Sequence, residues 1–189
     1  HFFVIMRRRA PRSTQSGSSA ASDVYKRQTH VGDAEAALED AEISRRVRAL
    51  VHKVHHHPAV FGYYLRDEPS AAVFPGLARW AAAYNKAHPK AVPYINLFPN
   101  YASPGQLGSA TYEEHLDQYV KTVHPRFISY DHYALMDDGS LRGGYFPNRE
   151  AVRKAALSAG IPFWNIVLSN SHFNYAEPTP GGLRFQMYT

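Results

Sequence analysis

From Asp33 onward the chain alternates between two hydrophobic rhythms. One is the three-to-four-residue spacing of an amphipathic helix, the other a short run of aromatic and β-branched residues that reads as a strand. Ile43, Val47, Leu50 and Val54 share one helical face. Glu35, Glu39 and Glu42 come early and Arg45, Arg46, Arg48 and Lys53 late, as the helix dipole favours, so the pattern predicts one helix over 33–54, capped by Asp33. A strand over 61–67 follows, stopped by Pro69, which has no N–H to give to a ladder. Ser70 is placed to cap the next helix, whose Phe74, Leu77, Ala81 and Tyr84 keep helical spacing to about Ala87.

The alternation continues. Tyr94–Phe98 reads as a second strand, and Tyr112, Leu116, Tyr119 and Val123 mark a helix. Phe127–Tyr133 reads as a third strand, and Met136–Pro147 as a long polar loop, more in keeping with the rim of a site than with a plain connection. A helix over 149–159 ends at Gly160, a fourth strand spans 162–168, and after a loop over 169–180 a further helix begins. Strands that alternate with helices argue for a parallel sheet joined by right-handed crossovers. No strand runs into a phosphate-cradling glycine-rich turn, so no dinucleotide cofactor is expected. Polar residues gather instead at all four strand ends, as they do on the active face of a barrel. The predicted fold is therefore α/β, a partial TIM (β/α)8 barrel over residues 29–189, and no cofactor is expected with it.

Charge changes the picture only at the N-terminus. The chain carries 21 Lys and Arg against 16 Asp and Glu, but six of those cations and one Asp lie in residues 1–28, leaving fifteen of each sign over the rest. The basic excess belongs to the tail, so the remaining chain has no polyanion-binding character, and nucleic acid is not an expected partner. Ser18–Gln28 resembles the translation of a sequencing-library adapter, which makes 1–28 an expected non-native or disordered basic tail. No apolar run approaches the ~20 residues that span a bilayer, and no membrane partner is expected. Cysteine is absent, which removes disulfides and thiolate chemistry. His55-His56-His57 has a bland reading as cationic side chains at a helix C-terminus, where consecutive positions diverge; no metal site is expected.

The chemistry centres on Val60-Phe61-Gly62-Tyr63-Tyr64-Leu65-Arg66-Asp67-Glu68-Pro69. This stretch resembles the fourth-strand motif of the clan of retaining glycoside hydrolases with (β/α)8 barrels, the cellulase-like and β-galactosidase-like families, in which an aromatic-x-Leu-x-Asn-Glu-Pro ending carries the acid/base glutamate. The resemblance implies strands four to seven of such a barrel, a carbohydrate substrate, and Glu68 as proton donor. His132-Tyr133 resembles the pair found at the sixth strand's tip. Two departures stand out. Asp67 occupies the usual asparagine position, and the fourth strand here ends in Ser169-Asn170-Ser171-His172, with no carboxylate for the nucleophile.

Glycosidic cleavage commonly takes two carboxyl groups, which leaves Asp131 or Glu177 as partner to Glu68. Asp67 and Glu68 point to opposite sides while the strand lasts and do not pair with each other. Asp131 has a second reading, as counter-charge to Arg66. Asp67, Asn96, His132, Tyr133, Trp164, Asn165 and His172 are the expected sugar-binding residues, and Tyr101, Tyr145 and Tyr175 are further rings near the rim. The rival readings are a non-catalytic carbohydrate-binding barrel and a barrel enzyme of another class, such as a lyase. An isolated open barrel is expected to be inactive, because its outer strands keep unpaired edges.

Overall fold

A computed structural model describes residues 30–189, and the basic tail 1–28 lies outside the described residues. The elements follow the predicted order. Helices α1 (Asp33–Ala36) and α2 (Asp40–Val54) precede strand β1 (Gly62–Asp67). A 3-10 turn at Ala71–Val73 then leads into α3 (Phe74–Ala87), followed by β2 (Val92–Leu97), α4 (Pro104–Leu107) and α5 (Tyr112–Val123). Strand β3 (Ile128–Asp131), α6 (Tyr145–Ala159), β4 (Phe163–Ile166) and α7 (Pro180–Tyr188) complete the chain. The four strands form one sheet in the order β1-β2-β3-β4 and run parallel, the α/β alternation expected of part of a barrel.

The chain divides into two compact units. The first comprises the described residues up to Asp67 with Ala72–Ile95 and Lys121–Pro125; the second comprises Glu68–Ala71, Asn96–Val120 and Arg126–Thr189. In the first, Ile43, Val47, Val51 and Val54 of α2 are buried, as are Leu77, Ala81 and Tyr84 of α3. Tyr63 of β1 stacks on Tyr84 with ring centroids 4.5 Å apart, which places this face of the strand under α3. Alternation sends Tyr64 to the other face, where it stacks on Tyr94 of β2 at 5.3 Å.

Several local expectations change, the first being the cap: Gly32, not Asp33, stands at the N-cap of α1. The single helix over 33–54 is broken at 37–39, because α3 takes the carbonyls a continuous helix would use. Trp80 Nε1 donates to the Glu35 oxygen at 2.9 Å, and Arg79 donates to the carbonyls of Ala36 at 2.8 Å and Leu38 at 2.7 Å. Gly76 permits this approach, since a Cβ there would lie 2.7 Å from Ala36 Cβ and closer still to its carbonyl oxygen. The residue at the N-cap of α3 is Val73, not Ser70, with proline in the first turn. The helix expected from Arg149 already begins at Tyr145, with Pro147 in its first turn, where a missing N–H costs nothing.

The second unit holds the ends of β2, β3 and β4. Asn96 pairs with Ser129 and Leu97 with Tyr130, while Ser129 pairs with Trp164, Tyr130 with Asn165 and Asp131 with Ile166. Leu97, Ile128 and Tyr130 are fully buried on one face of these strands.

Candidate functional site

The opposite face of β2 and β3 turns polar at its C-terminal end. Register and alternation put Asn96, Ser129 and Asp131 on it together, with Trp164 beside Ser129 and packed 4.5 Å from Phe127. Ser129 Oγ donates to Asn96 Oδ1 at 3.0 Å, and Asn96 Nδ2 donates to Asp131 Oδ1 at 3.1 Å. The serine fixes which way the amide faces, and the amide thereby orients the carboxylate. Asn96 and Ser129 are buried, while Asp131 is only partly so.

Glu68 joins the same group from the tip of β1. Its backbone N–H donates to the Asn96 carbonyl at 2.8 Å, so Asn96 is bonded to Glu68 through its main chain and to Asp131 through its side chain. At φ 42° Glu68 is a non-glycine residue in the left-handed region, a conformation costing about 1–3 kcal/mol that tends to collect at functional sites. The strand's alternation ends there. Asp67, the last residue of β1, is exposed. Arg66 does not pair with Asp131: its guanidinium donates to Asp33 and to the Val31 carbonyl, each at 2.8 Å.

Beyond β3 the chain turns inward. His132 is fully buried between the rings of Tyr101 (5.1 Å) and Tyr145 (5.5 Å), and neither ring nitrogen has a hydrogen-bond partner. Burial first, then the charge of Arg142, push its pKa down to about 4, although nearby backbone carbonyls oppose the shift; the imidazole is neutral at ordinary pH. Asn165 lies in register with Tyr130, on the face opposite Asn96 and Asp131, and its side-chain oxygen accepts the His132 N–H at 3.2 Å. It anchors the turn after β3.

The polar stretch read as the rim of a site has regular structure of its own. Leu135 and Leu141 form an antiparallel bridge, Arg142 N–H donates to the Ala134 carbonyl at 2.7 Å, and Gly139 lies at the turn with φ 83°. Met136 bridges to Tyr175, and Asp137 and Ala176 donate N–H groups to the carbonyls of Asn174 and Leu135, each at 3.0 Å, so 174–176 runs alongside as a third short strand. On this small sheet Tyr133, His172 and Tyr175 form an aromatic cluster with ring centroids 5.2–5.4 Å apart. His172 is exposed. So is Glu177, whose carboxylate accepts the Ser171 hydroxyl at 2.6 Å.

Of the expected site residues, hydrogen bonds thus link Glu68, Asn96 and Asp131, while Tyr133 and His172 belong to the rim cluster. Ser129 and Arg142 were not anticipated. Ser129 carries a faint sequence signal, standing two residues before Asp131 and so on its face of the strand. Among the described residues no group of three His, Cys, Asp or Glu side chains is arranged to hold a metal ion.

No family model matches the chain, and a search of curated proteins finds no significant match. Among solved structures the fold is similar to a crystal structure of a "putative alpha-L-fucosidase from Bacteroides thetaiotaomicron VPI-5482", with a TM-score of 0.51 at 10% identity. The likeness covers 75% of this chain and 48% of that one, so this chain spans about half the length of the protein it resembles. At that identity it is the fold that is shared.

Proposed function

We propose that this chain carries part of the active face of a (β/α)8-barrel glycoside hydrolase, with Glu68 as acid/base and Asp131 as the second carboxylate. The observation that carries the reading is Asn96, bonded on one side to the Glu68 backbone and on the other to the Asp131 side chain. Glu68 and Asp131 stand at tips on either side of β2. Two strand spacings put their backbones roughly 10 Å apart, a span that two inward-leaning side chains narrow to the separations used for glycosidic cleavage. The fold shared with the Bacteroides protein, which is named as a fucosidase, supports the same class.

In this scheme Glu68 protonates the leaving-group oxygen. Asp131, held by Asn96, acts as nucleophile or activates a water. Tyr101 stays protonated because burial pushes its hydroxyl up, so it serves as a hydrogen-bond donor or stacking ring. The direct test uses the protein with its full reading frame and a panel of 4-nitrophenyl glycosides that includes the α-L-fucoside. Glu68→Gln and Asp131→Asn should each lower turnover by about 10²–10⁴-fold while sugar binding survives. Wild-type rates in either variant would remove that residue from the mechanism.

One observation favours a second reading, a carbohydrate-binding barrel without turnover: the tip of β4 carries no carboxylate. Saturable sugar binding without hydrolysis of any glycoside by the full-length protein would establish it.

A further inference from the structure

Arg142 is the one element of the rim that a hydrolase of neutral sugars does not call for. Its guanidinium lies 3.9 Å over the Tyr101 ring and 5.4 Å from that of Tyr175, and Nη1 donates to the Tyr175 hydroxyl at 2.7 Å. Among the described residues no carboxylate lies within ion-pair distance of it. The acids on its own hairpin do not serve: Asp138 accepts the Ser140 N–H instead. Arg142 is half-buried, and one of its five donors is used by the protein.

Position adds to charge. The guanidinium lies over Tyr101, whose ring packs 5.1 Å from that of His132, the residue that follows the candidate carboxylate Asp131 in the chain. The neutral His132 beneath Tyr101 neither competes for an anion nor neutralises one. The backbone bond of Arg142 to Ala134 and the stacking on two tyrosines hold the fork in one orientation, so little entropy remains to be lost when it binds. A cation anchored this way and left without a counter-charge suits a planar or tetrahedral anion carried by the ligand.

We propose that Arg142, framed by Tyr101 and Tyr175, binds the anionic substituent of an acidic sugar, a carboxylate as in a uronate or a sulfate ester. This rests on the sugar-site reading above and narrows its substrate class. The anion accepts from the free edge of the guanidinium while the sugar ring lies toward Asp131.

The test is calorimetric titration of the protein with glucuronate, galacturonate and glucose 6-sulfate, against glucose and galactose, with sodium acetate and sodium sulfate as anion controls. Acidic sugars should bind at least about tenfold tighter than their neutral counterparts, and the advantage should shrink as salt is raised. Arg142→Gln should abolish the preference, and Arg142→Lys should restore only part of it because an ammonium cannot stack or fork. Uronate and sulfate ester are told apart by which of the two shows the preference. Should Arg142→Gln not fold, the wild-type preference and its salt dependence decide alone. Equal binding of neutral and acidic sugars, or simple acetate or sulfate binding as tightly as the sugars, overturns the proposal while leaving the sugar site standing. Failure of every sugar to bind overturns the sugar site and this proposal with it.

Discussion

The two units bury different things. In the first, Trp80 and Arg79 take the carbonyls released where α1 and α2 part, the Tyr63 hydroxyl is hydrogen-bonded to His88 Nδ1 at 2.7 Å, and Asn85 Oδ1 alone among the described side-chain atoms of this unit is buried without a hydrogen-bond partner. Its ion pairs, such as Glu42 with Arg45 and Arg46, lie at the surface and contribute little. The second unit contains all the buried polar side chains found among the described residues: Asn96, His115, Ser129, His132, Asn148 and Gln186. There, the nitrogens of His132 and the hydroxyl of Tyr130 have no hydrogen-bond partner. Burying polar groups without partners lowers stability, and a fold tolerates it where placement matters more than packing. On the proposed reading the candidate chemistry belongs to the second unit and the first serves as scaffold, a contrast that can be broken experimentally from either side.

The largest effect is expected in the scaffold. Gly76→Val forces a side chain against Ala36, where even a Cβ lies 2.7 Å from the Ala36 Cβ. Replacing glycine in a helix interior ordinarily gains up to about 1 kcal/mol, but backbone cannot yield as a flexible side chain does. A net loss of about 3 kcal/mol or more is expected in urea unfolding, with sugar binding per folded molecule unchanged. A neutral or stabilising result would show that α1 is free to move away from α3.

The chemical unit should instead reveal itself through pH. The folded pKa of His132 is about 4, below the ordinary 6.5, so the fold favours the neutral ring. Its contribution is complete above about 6.5 and is lost as pH falls through that value toward 4, because the unfolded chain takes up the proton first. The loss at pH 4.5 is on the order of 2–3 kcal/mol. Burial also lowers the pKa values of His115 in this unit and of His88 in the first, and both add in the same direction, so only the His132 variant isolates the second unit's share. His132→Leu should flatten the acid side of the stability profile by about that amount. An unchanged profile would show that His132 is already solvated.

Asn96→Leu sharpens the comparison further. It removes the donor to Asp131 and the acceptor for Ser129 together, in a buried position. A stability loss of about 2 kcal/mol is expected from the two hydrogen bonds lost at a buried position. If Asp131 is catalytic, turnover should fall by more than the unfolded fraction explains.

These outcomes bear on what the chain discloses before it folds. The order of helices and strands was legible because each element carries its own periodicity, and the polar positions of β2 and β3 were legible because Asn96 interrupts an apolar run and Asp131 ends one. Alternation could also have divided Trp164 from Asn165, since adjacent strand residues cannot share a face; Asn165 turned out to hold the His132 backbone. The break at 37–39 was not legible, because the residues that cause it lie about forty positions away in α3. Nor was Arg142. Its meaning comes from the hairpin over 134–142 and from Tyr175, which no local pattern brings together.

The smallest predicted effect concerns that remote control directly. Trp80 is buried and its indole N–H satisfies the Glu35 carbonyl at the end of α1. Trp80→Phe keeps most of the ring area but removes the indole donor from that carbonyl, which keeps the Leu38 N–H at 3.2 Å, an expected cost of about 1 kcal/mol. If the break between α1 and α2 depends on such donors, amide exchange at Ala36–Leu38 should quicken in this variant by more than global destabilisation accounts for. Exchange that merely follows global stability would mean that the break is set by the local sequence instead, and the separation between scaffold and site would lose one of its supports.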